Sequence, residues 1–194
     1  PQPKYKQAFL QPEYVFFPCQ LPHDETIKFH SDVQVIDALK HTMQWVKDFN
    51  STRRGQIKPR TVVIKPHPAN PSSMAPLLQV VTKMSRGMEQ NVHWVDNVSI
   101  HQLIAGAKVV VTVNSGVGFE AILHGKSIFT FGRADYDSVC HKYYGSDPAN
   151  LNDALNEAYR ELDQGDIIKA RKFVDAWYNT HYDYKNLETF EKIF

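Results

Sequence analysis

Lys108 to Lys126, KVVVTVNSGVGFEAILHGK, is the stretch on which the reading of this chain turns. Val109, Val110, Val111 and Val113 form a β-branched run broken only by Thr112, which predicts a central parallel strand covered on both faces. Asn114-Ser115-Gly116 then makes a tight turn. Phe119 to Leu123 has helical character, Gly125 is placed to stop that helix, and Ser127 to Phe131 starts the next strand. A strand, a small polar turn and a helix present free backbone N–H groups to an anion. No bulky side chain at Ser115, Gly116 or Gly118 would keep a phosphate away. The same turn also serves as a plain capped connection, which every parallel α/β sheet contains. On this stretch alone both readings stay open.

Working outward, three earlier strands are predicted at Tyr14–Phe17, Thr61–Ile64 and Val92–Val95. Between them, Ser31 can cap a helix through Val33, Ile36, Leu39, Met43 and Val46, and Ser72 or Ser73 can start one through Leu77, Leu78, Val81 and Met84. Ser99 is placed to cap a short helix over Ile100–Ala107. After Gly132 the pattern changes. Residues 133–148 read as a polar, tyrosine-rich loop with room for one helical turn. Leu151, Ala154, Leu155, Ala158, Tyr159 and Leu162 recur at helical spacing, with Asn150 as a candidate cap, and a second helix is expected over about Asp166–Tyr178.

Strands alternating with helices predict an α/β fold, a Rossmann-like doubly wound parallel sheet of about five strands in the order 3-2-1-4-5, followed by C-terminal helices. Residues 1–13, with three prolines, read as a linker or domain edge, 14–148 as the Rossmann-like domain, and 149–194 as helices that pack on it or on a partner domain. The chain starts at Pro1 rather than Met, so it reads as part of something longer.

Composition is that of a soluble globular domain of ordinary size, and a net charge of +1 argues against a nucleic-acid partner. No apolar run is long enough to span a membrane, and no signal peptide is expected. Cys19 and Cys140 are far apart and read as reduced thiols in a cytosolic protein. No histidine pair has HxxxH or HxH spacing, so no metal site is expected. No GxSxG elbow, Walker A loop or GxGxxG motif occurs. Arg53 and Arg54 read as a solvated loop.

The predicted strand order has its switch point between the first and fourth strands, where ligands bind at the carboxyl ends. Three sequence-distant loops would converge there: Gln20 to Asp24, Lys65 to Pro68, and Asn114 to Gly118. His67, held between two prolines, can donate to a phosphate oxygen, protonate a leaving phosphate, or simply close a turn. Lys65 beside it suits an anion as a point charge. Asp24 can act as a general base, or it is a solvated or helix-capping carboxylate. Glu120 can bind ribose hydroxyls, or it complements the helix dipole.

These residues resemble a known family, the bacterial capsule polysaccharide synthesis proteins that include the β-Kdo glycosyltransferases. Gln20-Leu21-Pro22-His23-Asp24 resembles that family's Q-x-x-x-D motif. Lys65-Pro66-His67-Pro68 is similar to its K-x-H-P motif, and Asn114-Ser115-Gly116 through Gly125-Lys126 resembles its N-S-x-x-G-x-E-A-x-x-x-G-K segment. The resemblance covers roughly Tyr14 to Tyr144. It implies one half of a GT-B fold in an inverting, metal-independent glycosyltransferase that uses a CMP-activated sugar, CMP-Kdo, as donor substrate, with no cofactor. By that resemblance Asp24 and Gln20 are the catalytic residues, with Asp24 as base on the acceptor hydroxyl. Lys65, His67, Pro68, Asn114, Ser115, Gly116 and Glu120 would bind the nucleotide sugar, His67 and Ser115 at the phosphate and Glu120 near the ribose.

The implied partners are the nucleotide-sugar donor, a saccharide or glycolipid acceptor, and an acceptor-binding domain outside this chain. The implied location is cytoplasmic, with peripheral attachment to the inner membrane as one option. Two other readings stay open. One is a non-catalytic sugar-nucleotide or polysaccharide-binding module of a capsule assembly or export complex. The other is a sugar-nucleotide epimerase or hydrolase of the same fold.

Overall fold

The computed structural model describes residues 12–52, 57–69, 71–143 and 148–181. Most of the expected N-terminal linker, Arg53 and Arg54, and the tail beyond His181 lie outside the described residues.

Four strands are central. β1 (Tyr14–Pro18), β2 (Val62–Lys65), β4 (Ala107–Thr112) and β5 (Ser127–Thr130) all pair in parallel. β3 (Val92–Trp94) adds to β2, and β6 (His141–Lys142) adds to β5. The resulting order is β3-β2-β1-β4-β5-β6. The expected order is therefore observed, with one strand more than expected. That strand lies inside the tyrosine-rich loop and is two residues long, too short to leave a periodic pattern.

Side chains alternate across the sheet because successive strand residues point to opposite faces. Val15, Phe17, Val62, Ile64, Val109, Val111 and Phe129 enter one core with residues of α2 (Val35–Thr52), α3 (Ala75–Met84) and α6 (Pro148–Tyr159). Phe16, Val63, Val110 and Ile128 enter the other with residues of α4 (Ile100–Gly106), α5 (Gly116–Leu123) and α7 (Gln164–His181). The two C-terminal helices thus cover opposite faces of one sheet. Each fully buried Val or Phe of the central strands contributes about 1.5–3 kcal/mol relative to exposure. This double covering is why the strands read as continuous apolar runs.

α6 is docked by a buried cation. Arg60 stacks its guanidinium over Trp45, Phe49 and Tyr159 at 4.2, 3.7 and 4.6 Å. It also donates to Asn156 Oδ1 at 3.0 Å. Burial lowers its pKa to about 10, so it stays charged near neutral pH.

Several local expectations change. Glu25–His30 forms a short helix, α1, in a segment for which no element was expected. Ser31 does not cap α2. It ends α1, and its hydroxyl bonds the backbone of Val33 instead. The N-cap of α3 is Met74 rather than Ser72 or Ser73, after a 3-10 turn over Pro71–Met74. Ser99 is the N-cap of α4 but makes no side-chain cap bond. α6 starts at Pro148, so Asn150 lies inside it. Gly125 has φ 64° just past the end of α5, the left-handed geometry that makes glycine a helix stop. Among the described residues no helix is long and apolar enough to cross a membrane.

Candidate functional site

The carboxyl ends of β1 and β4 are joined by a polar network. Gln20, only 4% exposed, reaches across to the turn after β4. Its Oε1 accepts from Thr112 Oγ1 at 3.0 Å and from the N–H groups of Val113 and Asn114 at 3.1 and 3.0 Å. Its Nε2 donates to Asn114 Oδ1 at 3.0 Å. Asn114 Nδ2 in turn donates to the Thr26 carbonyl at 2.9 Å. Gln20 was expected beside Asp24 as a catalytic residue. In the structure its side-chain amide bonds two turns 94 positions apart in sequence.

Asp24 is the N-cap of α1. Its Oδ1 accepts from the Thr26 N–H at 2.9 Å and from Thr26 Oγ1 at 2.8 Å. Both bonds fall on one oxygen, which leaves Oδ2 as the atom able to take a proton. Thr26 therefore links the Asp24 carboxylate to the Gln20–Asn114 pair.

Ser115 is the N-cap of α5, its Oγ accepting from the Val117 N–H at 3.3 Å. The Gly118 N–H turns back to the Ser115 carbonyl at 2.9 Å. Gly116 is exposed, and a side chain there would meet nothing within 4 Å. Gly118 is the opposite case: a Cβ would overlap the Tyr136 hydroxyl, which donates to the Ser115 carbonyl.

A cleft of about 660 Å³ opens at this turn. Asn114, Gly116, Phe119 and Glu120 form one wall, Thr26 and His30 of α1 border it, and the loop after β5 contributes Arg133 and Tyr136. Phe173 and Trp177 of α7 close the far end. Glu120 is half-exposed, but its Oε2 is buried without a hydrogen-bond partner and lies 4.0 Å from His101 Nδ1.

The third expected loop stands apart. Lys65 ends β2, and its Nζ donates to the Asp96 carbonyl at 2.7 Å, on the β3 side. His67 Nδ1 accepts from the Ala69 N–H at 3.2 Å, so the ring closes its own turn. That bond fixes the tautomer and leaves the Nε2–H as donor. Pro68 is exposed. Neither Lys65, His67 nor Pro68 lines the cleft. Two strand spacings of about 4.8 Å separate the ends of β2 and β4. Side chains join the turns after β1 and β4, while the turn after β2 lies on the other side of β1, where the Cys19 N–H donates to the Lys65 carbonyl at 2.8 Å.

The chain matches the family described as capsule polysaccharide biosynthesis protein over residues 4–152. It belongs to that family. It is 31% identical over 158 residues to protein FixF of Sinorhizobium fredii, covering 78% of this chain and 34% of that protein. It is 30% identical over 139 residues to the capsule polysaccharide export protein KpsS of Escherichia coli, covering 70% of this chain and 34% of that protein. The chain thus spans about a third of the length of these relatives. Among solved structures, a UDP-forming α,α-trehalose-phosphate synthase from Burkholderia vietnamiensis superposes with a TM-score of 0.61 at 11% identity, over 87% of this chain and 39% of that one. That likeness shows the fold, one half of a GT-B architecture.

In this capsule-family chain, sequence reasoning missed Thr26, His30, Arg133, Tyr136, Phe173 and Trp177. Thr26 and His30 sit on a helix of six residues that has no period to read. Gly118 carried a signal for Tyr136, since a glycine inside a helix asks what approaches it. Arg133, Phe173 and Trp177 reach the cleft through tertiary packing alone.

Proposed function

We propose that this chain is the donor-binding half of an inverting, metal-independent glycosyltransferase acting in capsule polysaccharide synthesis, with a CMP-activated sugar, CMP-Kdo, as donor. The observation that carries the reading is the cleft at the N-terminus of α5, with Asn114, Gly116 and Glu120 on one wall. The helix N-terminus and the open Gly116 suit a phosphate. Glu120 suits ribose hydroxyls one helical turn further on. The leaving nucleotide carries its own phosphate charge, which fixed hydrogen-bond donors can stabilise without a cation. Asp24 Oδ2 then accepts the proton of the attacking acceptor hydroxyl. Asp24 does not line the donor cleft, in keeping with a carboxylate turned toward the acceptor. The acceptor, a saccharide or glycolipid, is held by a second domain of the longer protein.

A thermal-shift series tests the reading. A ligand at a hundredfold excess over its Kd adds about 2.7 kcal/mol to the stability of the folded state. CMP is expected to raise the melting temperature more than UDP or GDP do, with or without EDTA. Equal or absent shifts for the three nucleotides count against the donor site, and a shift lost in EDTA counts against metal independence. One observation favours a second reading, a non-catalytic binding module of an export complex: the relative KpsS is described as an export protein. That reading expects the same nucleotide binding with no turnover that depends on Asp24.

A further inference from the structure

The cleft has two chemically different ends. Gly116 lines it at the N-terminus of α5, and Arg133, whose guanidinium lies 3.8 Å from the Asp32 carboxylate, lines it from the loop after β5. At the other end three aromatic side chains from two helices meet. Phe119 of α5 packs on Trp177 of α7 with ring centroids 4.7 Å apart at 41°, and on Phe173 at 6.3 Å and 67°. Glu120, next to Phe119 on α5, lines the same wall. Along α5, four residues from Gly116 to Glu120 rise about 6 Å. That is the order of the separation between a 5′-phosphate and the hydroxyls of its ribose. With a phosphate at Gly116 and a ribose at Glu120, the apolar lining left for the base is Phe119, Phe173 and Trp177.

We propose that α7 completes the donor site, and that the nucleobase stacks on the aromatic wall that Trp177 and Phe173 build against Phe119. This inference rests on the donor-site reading above. It makes Trp177 a base-binding residue, and it makes Arg133 the side-chain cation at the phosphate. The aromatic wall, the carboxylate and the cationic side chain line one cleft. Stacking tolerates any base, so the wall supplies affinity while edge contacts supply the choice of base.

The test uses the 194-residue chain and two ligands, CMP and ribose 5-phosphate, titrated calorimetrically against wild type, Trp177→Leu and Trp177→Phe. Loss of one base–aromatic stack is expected to weaken CMP about tenfold in Trp177→Leu. Ribose 5-phosphate should bind that variant as it binds wild type, and Trp177→Phe should keep most of the CMP affinity. Unchanged CMP affinity in a folded Trp177→Leu overturns the proposal, as does an equal loss for both ligands. A wild-type chain that binds neither ligand sinks the donor-site reading itself, a different failure. Should Trp177→Leu not fold, tryptophan emission decides. CMP should quench wild type, and the quench should vanish in Trp177→Phe while CMP still binds. A quench of the same size in both proteins overturns the proposal.

Discussion

The two polar turns at the carboxyl ends of the sheet are built on different principles. The turn after β4 is held from outside, by a glutamine from β1's loop and a carbonyl from α1. The turn after β2 holds itself, through His67 Nδ1 and the Ala69 N–H. In the first, side chains named in the motifs are consumed in fixing backbone. In the second, one ring nitrogen fixes the turn and the other remains a donor. A residue's presence in a motif therefore does not say whether it touches substrate. The number of its atoms already spent inside the protein says more.

The largest effect is expected where the spending is greatest. Gln20→Leu leaves a buried hydroxyl and two backbone N–H groups without their acceptor. Each unsatisfied buried donor costs about 1–3 kcal/mol, so a loss of about 3 kcal/mol or more is expected in urea denaturation. A loss below about 1 kcal/mol would mean that the two turns are not coupled as described.

Asp24→Asn comes next. Asparagine caps helices as well as aspartate does, so the melting temperature should hold. Donor binding should hold too, while turnover of the complete two-domain enzyme falls at least about 10²-fold. Unchanged turnover removes Asp24 as the base. Lost donor binding would make it a nucleotide ligand instead.

The self-held turn can be split atom by atom. Asparagine at position 67 can place an acceptor near the Nδ1 position but has nothing at Nε2. His67 does not line the cleft, so His67→Asn should keep both the melting temperature and the CMP affinity. A CMP affinity weaker by about 1.5–3 kcal/mol, the worth of a hydrogen bond to a charged group, would instead put the ring at the donor phosphate.

The smallest effect concerns β3, the strand beside that turn. Burial lowers the pKa of His93 from 6.5, so the unfolded chain binds the proton more readily than the folded one. The sign follows: stability is complete above pH 6.5 and declines as the pH falls below it. His93→Gln should flatten part of the slope of melting temperature between pH 7 and 5. His141 is lowered mainly by burial and secondarily by Arg160, so it should keep the remainder. An unchanged slope would show that His93 is not buried against protonation.

The central strands were legible because a strand covered on both faces must be apolar throughout, as Val109 to Val111 and Phe16 to Phe17 are. Strand order followed from alternation of strands with helices, and the cap at Ser115 from residue type. α1 was not legible: it buries only Ile27, so no face repeats. Ser31 was misplaced for the same reason, since an unseen helix end looked like a helix start. The polar turns were found as motifs, but bonding was not. A glutamine beside an aspartate reads alike whether it faces substrate or a buried carbonyl end. The aromatic end of the cleft depends on where α7 lies across the sheet, and no local pattern near Trp177 carries that information.

The contact between Gly118 and Tyr136 bears on how this turn can vary among descendants of one gene. The tyrosine ring occupies the place of the missing methyl, and its hydroxyl grips the carbonyl of Ser115. Alanine at 118 is thus admissible only after the aromatic at 136 has shrunk or swung away. Shrinking the aromatic first surrenders that grip. Each single step passes through a worse protein, so the two positions should be inherited as a pair. The loop that carries Arg133 is bound into that pair, and it cannot drift from the turn it faces without breaking it.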